Sequence, residues 1–198
     1  MTEEVSGTPD VSSMQDALCA MYEAALQGDD LRVVQLWTGL SRAFEIDNPL
    51  RLLSEILGSA IAWDKAAVLK AVAGGLGVDI FYKALTTKDR NGDFPLDRAG
   101  TLPSFSVIKM MVDLLGVDRD LAASRLTGVF LKKNDQGQTF LDGLADGSLR
   151  KVLAYLETVS PEAYRTAITF LSPQPSAAGQ APVGEGPVVG NPPKPPGM

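Results

Sequence analysis

Residues 68–79 read VLKAVAGGLGVD, and residues 107–118 read VIKMMVDLLGVD. Laid over one another at a constant offset of 39 (107 minus 68), the two share the opening valine, the lysine two places on and the closing Leu-Gly-Val-Asp, and Leu69 faces Ile108. In each, apolar residues recur three and four apart, the spacing that lines one face of a helix. Gly77 and Gly116 then fall at equivalent helix C-termini, where a left-handed residue is wanted. Asp79 and Asp118 fall where a following helix would be capped.

A second correspondence lies just downstream. Asn91-Gly92-Asp93-Phe94-Pro95-Leu96-Asp97 matches Gln136-Gly137-Gln138-Thr139-Phe140-Leu141-Asp142 at an offset of 45 (137 minus 92), so the second unit carries about six extra residues. In both copies a valine stands ten places after the Asp, at Val107 and Val152. A period of this order is the signature of a helical solenoid. The competing explanation is a coincidence between two amphipathic helices.

Outward from these copies the helical spacing continues. Met14, Leu18, Met21, Tyr22 and Ala25 form a stripe that ends near Gly28. Val33, Leu36, Trp37, Leu40 and Phe44 form another, opened by Asp29 or Asp30. Asn48-Pro49 has the form of a cap followed by proline in the first turn, ahead of Leu53, Ile56, Leu57, Ala60 and Ile61. Asp64 is expected to cap the helix that carries Val68, Leu69 and Val72, and Gly74-Gly75 to weaken its end. Beyond Val107, Ile108, Met111 and Leu115 lie a stripe from Leu121 to Leu131, a stripe of Leu149, Val152, Leu153 and Leu156, and a last helix from Ser160-Pro161 through Tyr164, Ile168 and Leu171. Nothing alternates at period two over a strand length. The expectation is an all-α chain in three zones: a polar, flexible start over 1–12, a helical-repeat body over 13–171, and a Pro/Gly-rich tail over 172–198. The tail has too few large side chains to offset its ordering entropy and is expected to be disordered.

Composition narrows the chemistry. Hydrophobic residues make up 45% of the 198 and charged residues 21%, ordinary values for a chain that buries a core. A net charge of −6 and a pI near 4.7 argue against non-specific phosphate binding, so nucleic acid is not an expected partner. Lys132-Lys133 and Arg150-Lys151 are only short basic pairs. There is no histidine, which removes Ser-His-Asp and Cys-His catalysis and every imidazole metal site. Cys19 is the sole cysteine, so neither an intrachain disulfide nor a cysteine zinc cluster is possible; beside Leu18 and Met21 it reads as a buried structural thiol. The start, MTEEVSGTPDVSS, lacks a basic n-region and an apolar core, and no apolar run has membrane-spanning length. A cytoplasmic protein that does not engage membranes is expected. A polar, Ser/Thr-containing start is also what many type III secreted effectors carry, which leaves secretion into a host cell as the alternative.

The stretch Lys88-Asp89-Arg90-Asn91-Gly92-Asp93-Phe94-Pro95-Leu96-Asp97-Arg98-Ala99 resembles the start of an ankyrin repeat, a polar turn ending in glycine followed by x-Thr-Pro-Leu-His-x-Ala. Gly92, Pro95, Leu96 and Ala99 match, while Phe94 replaces the threonine and Asp97 the histidine. The second copy keeps Gly137, Thr139 and Leu141, with Phe140 for proline and Asp142 for histidine. Residues 25–37, ALQGDDLRVVQLW, look like the junction between the two helices of such a repeat. The resemblance implies an ankyrin-like α-solenoid. In that family the Thr/His pair ties neighbouring turns together, and its replacement here bears on how regularly the units stack. The offsets lie nearer HEAT or armadillo periods.

Three catalytic or ligand readings are weaker than structural ones. Asp89-x-Asn91-Gly92-Asp93 hints at a calcium loop, but glycine sits fourth rather than sixth and Gly100 stands where a bidentate glutamate is needed. Asp142 and Asp146, four apart, have the spacing of a general acid and base, yet carboxylates at a helix start are usually caps. Gly74-Gly75-Leu76-Gly77 lacks the strand and the Lys-Ser/Thr of a phosphate loop. No cofactor or metal is expected.

The function expected is therefore a non-enzymatic protein–protein interaction module or adaptor, with the polar tips before each turn glycine as its recognition edge. The candidate residues are Asp89, Arg90, Asn91 and Asp93 in one tip and Lys132, Lys133, Asp135 and Gln136 in the other. In the tail, Pro192, Pro193, Pro195 and Pro196 around Lys194 favour polyproline II and offer an SH3- or WW-type contact. The alternatives are a secreted bacterial effector, a small carboxylate-dependent enzyme acting in a host cell, or a chaperone that holds another protein by an apolar groove.

Overall fold

A computed structural model describes residues 14–43, 49–89, 91–99 and 104–172, and every regular element among them is helical. The α-helices are α1 (Met14–Gln27), α2 (Asp30–Ala43), α3 (Pro49–Ala62), α4 (Ala66–Leu76), α5 (Val78–Leu85), α6 (Phe105–Leu115), α7 (Arg119–Phe130), α8 (Asp146–Val159) and α9 (Pro161–Leu171), with single 3-10 turns at Asp97–Ala99 and Phe140–Gly143. The expected zone boundaries lie near the limits of the described residues, and residues 1–13 and 173–198 lie outside them.

Local chemistry accounts for most of the boundaries. Gly28, at φ 74°, closes α1, and the Asp29 carboxylate accepts from the Arg32 N–H at 2.9 Å to open α2. Asp118 caps α7 through the Asp120 N–H at 3.1 Å. Ser160 caps α9 through the Ala163 N–H, with Pro161 in the first turn.

Helix α4 lies beside α2 and α1 on one side and α6 on the other; α6 in turn packs on α8. Helices α5, α7 and α9 return alongside them, with α7 packed on α9. Helix α3 rests on α4, α5 and the 97–99 turn. One continuous core results, from Met21 and Leu36 through Leu57, Val72 and Phe81 to Met111, Phe130 and Leu156. Helices α4 and α6 bury the same register, Val68, Leu69 and Val72 in one and Val107, Ile108 and Met111 in the other.

Several expectations are corrected. Gly116 is not left-handed: its φ is −84°, and the glycine is needed because a β-carbon there would lie 2.5 Å from Val159 Cγ1. The α6–α7 corner packs that tightly on the end of α8. Asp64 does not cap α4, which starts behind Lys65 without a side-chain cap. With φ 56°, Asp64 turns outward and its carboxylate accepts from Ser106 Oγ at 3.1 Å. Asp79 sits inside α5 and pairs with the Arg125 guanidinium, which is buried in α7. Cys19 is exposed, because α1 turns Ala17, Met21, Ala24 and Ala25 inward. On α9 the buried residues are Ala163 and Ala167, and Ile168 is exposed; two small side chains four apart let the helix lie close against its neighbours.

Candidate functional site: two adjoining loops

Loops 86–96 and 131–139 fold on the same hydrogen-bond frame, 45 positions apart. In the first, the Asp89 N–H donates to the Asp93 carbonyl at 2.8 Å, and Asp89 Oδ1 accepts from the N–H groups of Asn91 at 2.7 Å and Asp93 at 3.1 Å. In the second, the Asn134 N–H donates to the Gln138 carbonyl at 2.9 Å, and Asn134 Oδ1 accepts from Gln136 and Gln138, both at 3.0 Å. The turn glycines stand at φ 84° (Gly92) and 77° (Gly137), a region that costs a side chain steric strain. At the close of each loop an Asp holds the N–H three residues back: Asp97 Oδ2 takes it from Phe94 at 3.0 Å, and Asp142 Oδ2 takes it from Thr139 at 2.8 Å.

The loops lie against each other. Lys132 Nζ donates to the Thr86 carbonyl at 2.8 Å, and Lys88 pairs with Asp135. Phe94 is buried between them, with the ammonium groups of Lys88 and Lys132 at 5.4 and 5.1 Å from its ring centre. Ser54 of α3 anchors the first loop by donating to the Thr87 carbonyl at 2.7 Å. Lys133 lies 5.7 Å from the Phe170 ring near the end of α9.

The predicted edge is thus brought together, though its members divide by role. Asn91, Lys133 and Gln136 are exposed, and Asp93 is half-buried. Asp89 is the correction: at 7% exposure it faces inward, its Oδ1 engaged by two backbone N–H groups and its Oδ2 3.4 Å from Arg98 Nε, so it builds the loop rather than presenting itself. Lys132 and Asp135 are exposed but already tie one loop to the other. Arg90 and the prolines at 192, 193, 195 and 196 lie outside the described residues. Sequence reading missed Lys88 and Arg98, and within the span 132–138 it did not single out Asn134. The signal was present for two of them, because Lys88-Asp89 matches Lys133-Asn134 at the same offset of 45.

The loop carboxylates are arranged for structure. Asp142 accepts from both the N–H and the hydroxyl of Thr139, a reciprocal cap that engages it on its own turn. Among the described residues no three His, Cys, Asp or Glu side chains gather as a metal site. Positive Lys88, Lys132 and Lys133 alternate with Asp93 and Asp135, so the edge is fitted to matching polar groups one by one rather than to a field of one sign. At the other end of the hairpins the first Leu-Gly-Val-Asp copy, with Val117 and Asp118 of the second, lines an open groove of about 490 Å³ that holds the Asp79–Arg125 pair.

No known protein family, curated protein or solved structure matches the chain. Among the described residues no helix is long and apolar enough to cross a membrane.

Two predictions arise from this geometry. Gly92→Ala and Gly137→Ala impose the same positive-φ strain, but only at Gly92 would the new β-carbon meet a neighbour, 2.0 Å from Asp135 Oδ2. Gly137→Ala should cost about 1 kcal/mol. Gly92→Ala should cost up to about 1 kcal/mol more, because the exposed Asp135 carboxylate must swing away from Lys88. Equal urea midpoints for the two variants would separate the loops.

The second concerns pH. Burial raises the Asp97 carboxyl above its usual range and the Asp93 and Asp89 charges add to this, against the lowering effect of the Phe94 N–H and Asn134. A raised folded-state pKa means that the native chain binds more protons than the unfolded one. The penalty is therefore absent below the ordinary value of 3.8 and grows as pH rises from there through the raised value. Asp97→Asn keeps an oxygen for the Phe94 N–H and removes the charge. The variant should match or exceed the wild type in thermal midpoint at neutral pH, and its advantage should vanish at pH values below the ordinary carboxyl range. Asp113 has the opposite sign: burial pushes it up, but hydrogen bonds from Lys109 and Tyr155 outweigh this and hold it low, so its contribution is lost as pH falls.

Proposed function

We propose that the chain is a non-catalytic interaction module, an array of ankyrin-like helical repeats that recognises another protein through the adjoining tips of loops 86–96 and 131–139. The observation that carries this reading is the shared loop frame. Two turns with the same hydrogen bonds, 45 positions apart and side by side, are what a repeat architecture requires. The six-residue excess of the second unit is largely explained by α7, which has 12 residues against 8 in α5.

Where ankyrin turns use a Thr/His pair, this chain substitutes its own ties, Lys88 to Asp135 and Lys132 to the Thr86 carbonyl. The tips are held rigid by Asp89 and Asn134 while Asn91, Lys133 and Gln136 stay exposed, and a preorganised polar edge loses little entropy on binding. A protein surface with complementary amide and carboxylate groups is the partner this edge suits.

The test is affinity capture with the wild-type chain and with Asn91→Ala/Lys133→Ala/Gln136→Ala as baits, read by mass spectrometry. A protein retained by the first and lost by the second, with unchanged far-UV circular dichroism, supports the reading. Identical captured sets would overturn it.

A further inference from the structure

Two exposed aromatic residues, with a half-buried tyrosine behind one of them, stand at the α3–α4 corner and the start of α6. Trp63, at the α3–α4 corner, is 73% exposed, and Phe105, in the first turn of α6, is 38% exposed. The hydrogen bond from Ser106 Oγ to Asp64 Oδ1, 3.1 Å, brings the corner that carries Trp63 against that first turn. Tyr155, half-buried in the third turn of α8, backs Phe105, its ring centre 6.0 Å from that of Phe105 at 80°. Its position is fixed from two sides, by donation of its hydroxyl to Asp113 and by Lys109 Nζ, 4.8 Å from the ring centre. Trp63 and Phe105, large aromatics on two segments that the Ser106–Asp64 hydrogen bond joins, are left partly in water, a cost for a free surface.

The loop tips do not account for these aromatics, but the sequence contains a segment that suits them. Proline-rich segments dock on aromatic surfaces because their rings pack flat on aromatic faces and their backbone is already ordered. Residues 190–198 read GNPPKPPGM, and Lys194 at the centre complements the exposed Asp64 beside Trp63. Position agrees as well. Helix α9 ends at Leu171, and Phe170 lies near Lys133 of the second loop, so the last described residues are on the loop side, the side on which α6 begins. Nineteen residues lie between Ser172 and Pro192. A coil of that length spans about 25 Å, close to the roughly 20–24 Å across two packed helices.

We propose that residues 190–198 dock in cis on Trp63, Phe105 and Tyr155, with Lys194 against Asp64. Tethering supplies an effective concentration in the millimolar range, so a weak intrinsic contact is sufficient to keep the aromatics covered. The tail prolines are then withheld from SH3- or WW-type partners until they are displaced.

The full-length chain tests this through its tryptophans. Trp63 is one of only two, and the other, Trp37, is half-buried in α2. The full-length variant Pro192→Ala/Pro193→Ala/Pro195→Ala/Pro196→Ala should show red-shifted emission and stronger acrylamide quenching than the wild type. Excess GNPPKPPGM peptide should reverse both changes, and in a Trp63→Phe background the two tails should become indistinguishable. Equal quenching with and without the prolines overturns the proposal, as does a difference that survives Trp63→Phe. A difference that disappears on dilution of the wild type assigns the contact to the tail of a second copy and also overturns docking in cis.

Discussion

Phe130→Ala is expected to lower the free energy of unfolding by about 3–5 kcal/mol, the cost of deleting a large aromatic from a core that cannot collapse around the gap. Phe130 closes α7 at 1% exposure, and its ring lies 5.7 Å from that of Phe140 at 46°. Phe140 belongs to the 3-10 turn that follows the second loop, so the lost ring also undermines the turn holding Asn134 and Asp142 in register. With a urea dependence of about 1–3 kcal/mol per molar for a small domain, the midpoint should fall by on the order of 2 M. Leu121→Ala on the same helix removes an apolar side chain that is 45% exposed and should stay within about 0.5 kcal/mol of the wild type. If the two variants unfold at similar urea concentrations, the packing assigned to α7 is wrong.

That contrast marks where sequence reading is strong and where it stops. A spacing of three and four shows that a helix has an apolar face, and Ser160-Pro161 or Asp118 shows where it begins, because capping is chemistry between near neighbours in the chain. Leu121 and Ile168 fit the helical spacing as well as Leu126 does, yet both are exposed. Which apolar residue turns inward depends on the helix packed opposite, and that is not written locally. The same limit governs the glycines. Gly92 and Gly137 are predictable, since a turn demands their positive φ, whereas Gly116 is required by Val159, 43 positions away. At the candidate site, the repeated frame was visible as matching residues, but the division into exposed and inward-facing members was not. A polar residue in a turn reads as surface until the next loop is laid against it.

Asp89 carries that point to its largest consequence among the polar residues. Asp89→Ala removes the acceptor of two backbone N–H groups at a site only 7% exposed and also leaves Arg98 without its partner. An unsatisfied buried donor costs about 1–3 kcal/mol, so the variant should lose about 2–4 kcal/mol, and the first tip should lose its fixed shape together with the partner capture that depends on it. Asp89→Asn should behave differently, because Asn134 already does the same work in the second loop with 3.0 Å bonds. It forfeits only the charge interaction with Arg98, whose side chain is 35% exposed and therefore screened, a loss of less than about 1 kcal/mol. The reciprocal Asn134→Asp keeps the loop frame but sets a second carboxylate beside Asp97, which burial and the neighbouring Asp93 and Asp89 charges already hold above its ordinary pKa. Its destabilisation should therefore grow as pH rises from the ordinary carboxyl value toward neutrality, the reverse of an acid-sensitive carboxylate. Thermal unfolding of the three variants between pH 3 and pH 7 separates these cases, and equal losses for Asp89→Ala and Asp89→Asn would show that the two loops do not share one hydrogen-bond frame.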